Sequence, residues 1–240
     1  MESNKKEKLD QLFSEMSNCH NCCNLVKKNG KDCSLINIYQ QSNFYKNIPS
    51  IWTDWYRRVD ADIMVIGQDW GPYIEMKKFH DEYFMEKTLE NWVRLIEKEK
   101  SLTKKMLTKY LVESSKNTKY EMTESDMDHI YITNAIMCAR SGNHYRGDNI
   151  MLKESTIRCT PFLRKQIEIV NPKTILTLGY YPLLALSYIF DFEIENNLTK
   201  TIEKKPEIRV LNYRIIPLYH PTAQVKKEQQ LSQYRRIWDV

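Results

Sequence analysis

Apolar residues recur along this chain at two spacings. In residues 1–18, Leu9, Leu12, Phe13 and Met16 fall on one stripe of helical period, which predicts an amphipathic helix. Four short apolar runs have the continuous character of buried strands. They are Ala61 to Gly67, Ile130 to Ile136, Thr174 to Gly179, and a run within Arg209 to Tyr219 that stops at His220-Pro221. Helices are predicted over 88–99, over 102–113, and from Cys159 along the stripe Phe162, Leu163, Ile167 and Val170. Pro161 fits the first turn of that helix better than an interior. Pro182 to Ile189 reads as a buried helix, and a basic helix runs from about Gln224 to Trp238. Asn117 to Asp128 and Ser141 to Asp148 are polar and read as loops. Cys19 to Cys33 is a cysteine-rich loop, and 34–60 is irregular and aromatic.

Strands and helices therefore alternate, which predicts an α/β fold. The expected form is a three-layer α/β/α arrangement with a central, mostly parallel four-stranded sheet. One domain is expected over 1–240, with a cysteine-rich extension of about sixty residues packed on it. Sites in open parallel sheets form beyond the carboxyl ends of the strands. That rule gathers Gln68, Asp69, Asn134, Gly179 and His220 near one rim.

Composition narrows the function classes. The 240 residues carry 36 Lys+Arg against 31 Asp+Glu, a net charge of +5. Hydrophobic residues make up 42 % and charged residues 28 %, a globular balance that argues against a disordered chain. The mild positive charge permits nucleic-acid binding without demanding it. No apolar run reaches the roughly 18–20 residues of a membrane span, and the first residues have no apolar signal core. The expected location is the cytoplasm, where six clustered cysteines point to metal binding or catalysis rather than disulfides. The chain has only six glycines. Gly67, Gly71 and Gly179 lie at or just after strand ends, where special backbone geometry or close approach is needed.

Three motifs occupy the rim. In Gly67-Gln68-Asp69-Trp70-Gly71-Pro72, the carboxylate can orient a water, or it can simply accept backbone N–H groups in an Asx turn. In Thr133-Asn134-Ala135, the asparagine offers donor and acceptor to a base edge, or it caps its own loop. In His220-Pro221-Thr222, the imidazole can hydrogen-bond a developing anion, or it is a structural histidine. Each bland reading is the better one for its motif in isolation. The three motifs converge from different strands, and their combination resembles the uracil-DNA glycosylase superfamily. The resemblance extends from about Ile63 to Ala223 and includes Cys159-Thr160-Pro161-Phe162-Leu163 and Asn171 to Gly179. The cysteines resemble those of its iron–sulfur-containing, family 4-like members. Cys19 and Cys22 have CxxC spacing, and twenty residues separate Cys138 from Cys159. By that resemblance these four hold a structural [4Fe–4S] cluster, with structural zinc as the alternative. Cys23 is a possible replacement for Cys22, and Cys33 a further ligand or a spare thiol.

The resemblance implies a monofunctional DNA glycosylase. A flipped pyrimidine nucleotide enters the pocket, and hydrolysis of its N-glycosidic bond leaves an abasic site. Asp69 would position the attacking water and His220 would hydrogen-bond a carbonyl oxygen of the leaving base. Asn134 would read the pairing edge. Gln68, Trp70 and Gly71 would shape the pocket, and Phe84 or Tyr83 would stack on the base. Thr222, Lys226 and Lys227 would meet the DNA, with Arg235 and Arg236 nearby. Neither a membrane nor an obligatory protein partner is implied. No lysine lies within the three motifs, which argues against lyase activity. Cluster-containing relatives read Gly-Glu-Ala-Pro-Gly at the first motif. The Gln-Asp pair here looks like the cluster-free enzymes, whose following Pro-Tyr supplies a tyrosine that blocks C5 substituents. Gly71 stands at that tyrosine's position. Uracil is the default base. The alternative is a bulky C5-modified cytosine of phage DNA, excised in antiviral defence. A reading of another class is a catalytically silent nucleic-acid-binding protein. A small-substrate α/β hydrolase is disfavoured by the lack of a Gly-x-Ser-x-Gly elbow or a phosphate-binding loop.

Overall fold

The computed structural model describes residues 2–22, 35–37, 58–71, 102–140 and 149–239. Among them, helix α1 (Glu2–Ser17) is followed by β1 (Leu35–Ile36) and β2 (Ile63–Gly67). Helix α2 (Leu102–Ser115) leads to a 3-10 helix (Glu124–His129), β3 (Ile130–Asn134) and β4 (Ala139–Arg140). Helix α3 (Asn149–Val170), β5 (Thr174–Leu178), α4 (Tyr180–Phe190) and α5 (Leu198–Lys204) follow. The chain ends with β6 (Ile208–Val210), β7 (Tyr213–Leu218), α6 (Lys227–Arg235) and a 3-10 turn (Arg236–Trp238). The helix expected over 88–99 lies outside the described residues.

The main sheet has five strands in the order β3-β2-β5-β7-β6. Its first four are mutually parallel, and β6 is antiparallel to β7. The α/β expectation holds, with one strand more than the four read from the pattern. The extra strand is the first arm of a hairpin turned by Leu211 and Asn212. Leu211 takes a positive φ of 53° and lies 84 % exposed, so the turn has no glycine to announce it. A second, two-stranded sheet pairs β1 with β4, Leu35 opposite Arg140.

Alternating side chains give the sheet two buried faces. Met64, Ile66, Ile175 and Ile215 pack with Leu9, Leu12, Phe13 and Met16 of α1, Leu163 and Ile167 of α3, and Leu183 and Leu186 of α4. Val65, Ile132, Leu176 and Ile216 pack on the other face with Leu107 and Leu111 of α2 and Leu231 and Tyr234 of α6. Lys5 fastens α1 to the body through the carbonyls of Val59 and Val170 (both 3.1 Å) and the Asp60 carboxylate (2.5 Å).

Helix α3 begins ten residues before Cys159, so Pro161 lies in its interior rather than its first turn. An interior proline leaves a carbonyl of the preceding turn without its N–H donor. Here the Thr160 hydroxyl donates to the Ile157 carbonyl at 2.7 Å, which supplies a replacement. Asn171 ends the helix at φ 55°, its N–H bonded to the Ile167 carbonyl at 2.7 Å. The polar stretch 117–128 is not wholly loop. Its second part enters the 3-10 helix through a capping box in which Asp126 accepts from the Thr123 N–H at 2.7 Å.

Candidate active site

Parallel pairing places Gly67, the last residue of β2, opposite Asn134, the last residue of β3. The Asn134 side chain folds over Gly67 so closely that a Cβ there would lie 2.5 Å from its Oδ1. Only glycine leaves that room. Asn134 is 4 % exposed, and its Nδ2 has no hydrogen-bond partner among the described residues. A buried donor left unmade costs about 1–3 kcal/mol. Asn134 lies at the carboxyl rim of the parallel strands, where sites form in open sheets.

The next residues are laced to the segment after β3. The N–H groups of Ala135 and Ile136 donate to the carbonyls of Gly67 (2.8 Å) and Gln68 (2.9 Å). The Trp70 indole N–H donates to the Met137 carbonyl at 3.0 Å, and the Arg140 N–H donates to the Gly71 carbonyl at 3.1 Å. Trp70 thus faces this segment and packs against the core, so it braces the loop. The Asp69 carboxylate accepts from the Gly71 N–H at 2.7 Å, which makes the Asx turn anticipated as its bland reading. It also accepts from the Gln68 amide at 2.8 Å and from the Arg140 guanidinium at 3.2 Å. Gly71 has φ 79°, a conformation that glycine adopts without strain, and space for a Cβ is open among the described residues.

His220 follows β7, two strands away from β2 in the sheet order. Its Nδ1 lies 2.9 Å from the Thr222 hydroxyl and accepts the Thr222 main-chain N–H at 3.3 Å. A main-chain N–H can only donate, so the neutral ring carries its proton on Nε2. Burial lowers the imidazole pKa below its ordinary 6.5, and the nearby Asp69 charge opposes this without prevailing. Helix α6 supports the loop from behind. The Gln230 amide donates to the His220 carbonyl at 3.3 Å, and the Gln233 side-chain oxygen accepts from the Tyr219 N–H at 3.2 Å. Sequence reasoning missed both glutamines, as it missed Arg140.

The four cysteines singled out by spacing line one cavity, with Met16, Leu35, Met137, Arg158 and Phe162 among its other walls. None of the four is joined in a disulfide among the described residues. A hydrogen bond from Cys159 lowers the Cys22 pKa to about 7 against the opposing effect of burial, helped by the Arg158 charge and Ser155. The partner thiol, Cys159, is pushed up by that same bond and by burial. Among the described residues no three His, Cys, Asp or Glu side chains are grouped to hold a metal ion. Four thiols round one cavity match in kind and number the ligands that an iron–sulfur cluster takes. Cys23, Cys33, Tyr83 and Phe84 lie outside the described residues. Of the residues expected to meet DNA, Thr222 is exposed beside His220 and Lys226 is exposed just ahead of α6. Lys227 is exposed and ion-paired with Glu113 at 2.6 Å.

The rim thus brings the ends of β2, β3 and β7 to one side of the sheet. The family model of the uracil DNA glycosylase superfamily matches residues 53–240. The chain belongs to the uracil-DNA glycosylase superfamily. All three rim motifs of this superfamily member fall inside the match. The chain is 28 % identical over 108 residues to a type-4 uracil-DNA glycosylase of Sulfurisphaera tokodaii, covering 43 % of this chain and 45 % of that protein. It is 30 % identical over 99 residues to a type-4 uracil-DNA glycosylase of Saccharolobus solfataricus, covering 39 % and 42 %. The alignments therefore span less than half the length of these curated relatives.

Proposed function

We propose that this superfamily member is a monofunctional DNA glycosylase that hydrolyses the N-glycosidic bond of a flipped pyrimidine nucleotide. The observation that carries this reading is the buried Asn134 Nδ2, which has no partner among the described residues, at the rim where Asp69 and His220 also arrive. In the reaction, water adds to C1′ of the sugar as the bond to the base nitrogen breaks. The bonding electron pair leaves with the base. The attacking water gives up one proton to solvent as it becomes the C1′ hydroxyl, and the base anion takes one up to leave as the neutral free base. Positive charge grows on the sugar and negative charge on the base, and preorganised groups stabilise both. Asp69 holds the water and faces the sugar cation. His220 donates its Nε2 proton in a hydrogen bond to a base carbonyl. A neutral, half-buried imidazole suits that task, because it donates without first giving up a charge. The Asn134 amide donates to the pairing edge of the base.

Uracil is the substrate this reading favours, with DNA as the partner and the cytoplasm as the setting. Among the described residues, no helix is long and apolar enough to cross a membrane. Cys19, Cys22, Cys138 and Cys159 would hold a [4Fe–4S] cluster. Held by these residues, a cluster would cross-link the segment after α1, the segment after β3 and helix α3, a structural role. Thiols spread round a cavity suit a multi-iron cluster better than a single zinc, whose ligands converge on one point.

One observation favours a second substrate, a bulky C5-modified cytosine such as a phage genome carries. The Gly71 position has no side chain and opens on space among the described residues. The positive φ of Gly71 gives that glycine a backbone reason as well, so the test must separate the two.

Purified protein is incubated with a single-uracil oligonucleotide and with DNA carrying the bulky cytosine, and hot alkali reveals abasic sites. Release of uracil, lost in Asp69→Asn, is the expected result. Release of the bulky base alone would move the substrate to modified DNA. Binding without release of either base would favour the silent binding protein. Gly71→Tyr discriminates further: a blocked gate removes activity on the bulky base alone, whereas backbone strain lowers both.

A further inference from the structure

Asp69, Asn134 and His220 leave one buried charge at the rim without a task. The Arg140 side chain is 6 % exposed and faces an Asp69 side chain that is 4 % exposed. Taking two ions out of water is expensive, and a hydrophobic pair of similar volume is often at least as stable. Stability alone is therefore a weak reason to keep this pair.

Its geometry offers a better one. Arg140 belongs to β4, where it pairs with Leu35, and its own N–H holds the Gly71 carbonyl at 3.1 Å. The guanidinium is thus delivered from fixed backbone. A carboxylate oxygen has two lone-pair sites. On Asp69 Oδ1 the Gly71 N–H (2.7 Å) and Arg140 Nη2 (3.2 Å) take both. On Oδ2 the Gln68 amide takes one, at 2.8 Å, and among the described residues no donor takes the other. The carboxylate cannot exchange its oxygens without breaking the ion pair and the Asx turn together.

We propose that Arg140 is a positioning residue for Asp69, locking the carboxylate so that Oδ2 alone presents a lone pair to the attacking water. The proposal rests on the glycosylase reading of the site. Among the described residues, the contact that ties the Arg140 side chain to the rim is the one with Asp69, so its effect on the reaction is exerted through that carboxylate. A lysine would keep the charge but lose the planar fork that fixes the oxygen, so the exchange is not conservative here.

The test is a double-mutant cycle of Arg140→Gln and Asp69→Asn, read in two ways on the full chain. The first readout is single-turnover release of uracil from a single-uracil oligonucleotide. Arg140→Gln should slow it by roughly 10²-fold, the cost of a misplaced reacting group, with oligonucleotide affinity unchanged within about twofold. On the Asp69→Asn background the same change should cost nothing further. Arg140→Lys should recover only part of the rate. An equal loss on both backgrounds, or release at the wild-type rate, overturns the proposal. The second readout is urea unfolding, which does not depend on activity. Arg140→Gln alone leaves a buried carboxylate without its counter-charge, so the double variant should unfold at a higher urea midpoint than Arg140→Gln. Strict additivity means no pair exists and overturns the proposal. Wild type that releases no base overturns the glycosylase reading, and the positioning role with it. Coupling in the unfolding cycle would then show that the pair itself stands.

Discussion

Asn134 is where sequence and geometry meet most tightly. Its amide needs the space above Gly67, and Gly67→Ala puts a Cβ 2.5 Å from Oδ1. The expected outcome is displacement of Asn134 and loss of base release, with the fold retained by circular dichroism. Asn134→Asp replaces the donor with an acceptor and should cost roughly 10²-fold or more in single-turnover rate, the scale of one lost electrostatic donor. His220 carries a pH signature. Burial holds its folded pKa below the ordinary 6.5, so the unfolded chain binds that proton more readily. The stability it contributes is full above about pH 6.5 and is lost as pH falls through the lower folded value. Urea midpoints measured across that window should fall less steeply for His220→Gln than for wild type. The three rim residues were legible because each lies at or just after the end of an apolar run that reads as a strand. Arg140 was not, since its partner lies 71 positions away and an ion pair at that distance leaves no local pattern.

The decisive local arrangement is the lacing of 67–71 to 135–140. Four main-chain or indole hydrogen bonds and one ion pair connect two short segments that lie far apart in sequence. Cys138 sits within the second segment and lines the cysteine cavity, so the two sites share one piece of backbone. Trp70→Phe keeps the ring against the core and removes only the bond to the Met137 carbonyl. It should cost about 1 kcal/mol of stability by urea unfolding. The pattern of the chain showed the parallel strands and most helices, because burial on a sheet face forces continuous apolar runs. It did not show the start of α3, because that helix was read from the apolar stripe after Cys159, with Pro161 placed in its first turn. The hairpin arm β6 was merged with β7 because Leu211 makes the turn where glycine or asparagine is usual. Pro161 misled for a physical reason: its usual cost inside a helix is offset here by the Thr160 hydroxyl.

Two apolar layers clamp the sheet, and the cysteine cavity lies under α1 and α3 on one of them. A cluster there would tie the segment after α1 to the body at a place where hydrophobic packing is interrupted by sulfur. Protein purified without oxygen should carry iron and acid-labile sulfide in equal amounts. Cys138→Ala should lose both and unfold at lower temperature, while zinc without sulfide would contradict the cluster. The central claim is that the rim of this superfamily member breaks a glycosidic bond by water attack directed from Asp69. Its most direct test is single-turnover chromatography of the free base released from a single-uracil duplex by wild type and by Asp69→Asn. The account predicts free uracil and an intact abasic strand with wild type, and a loss of roughly 10²-fold or more with the variant. Equal release by both proteins would contradict it.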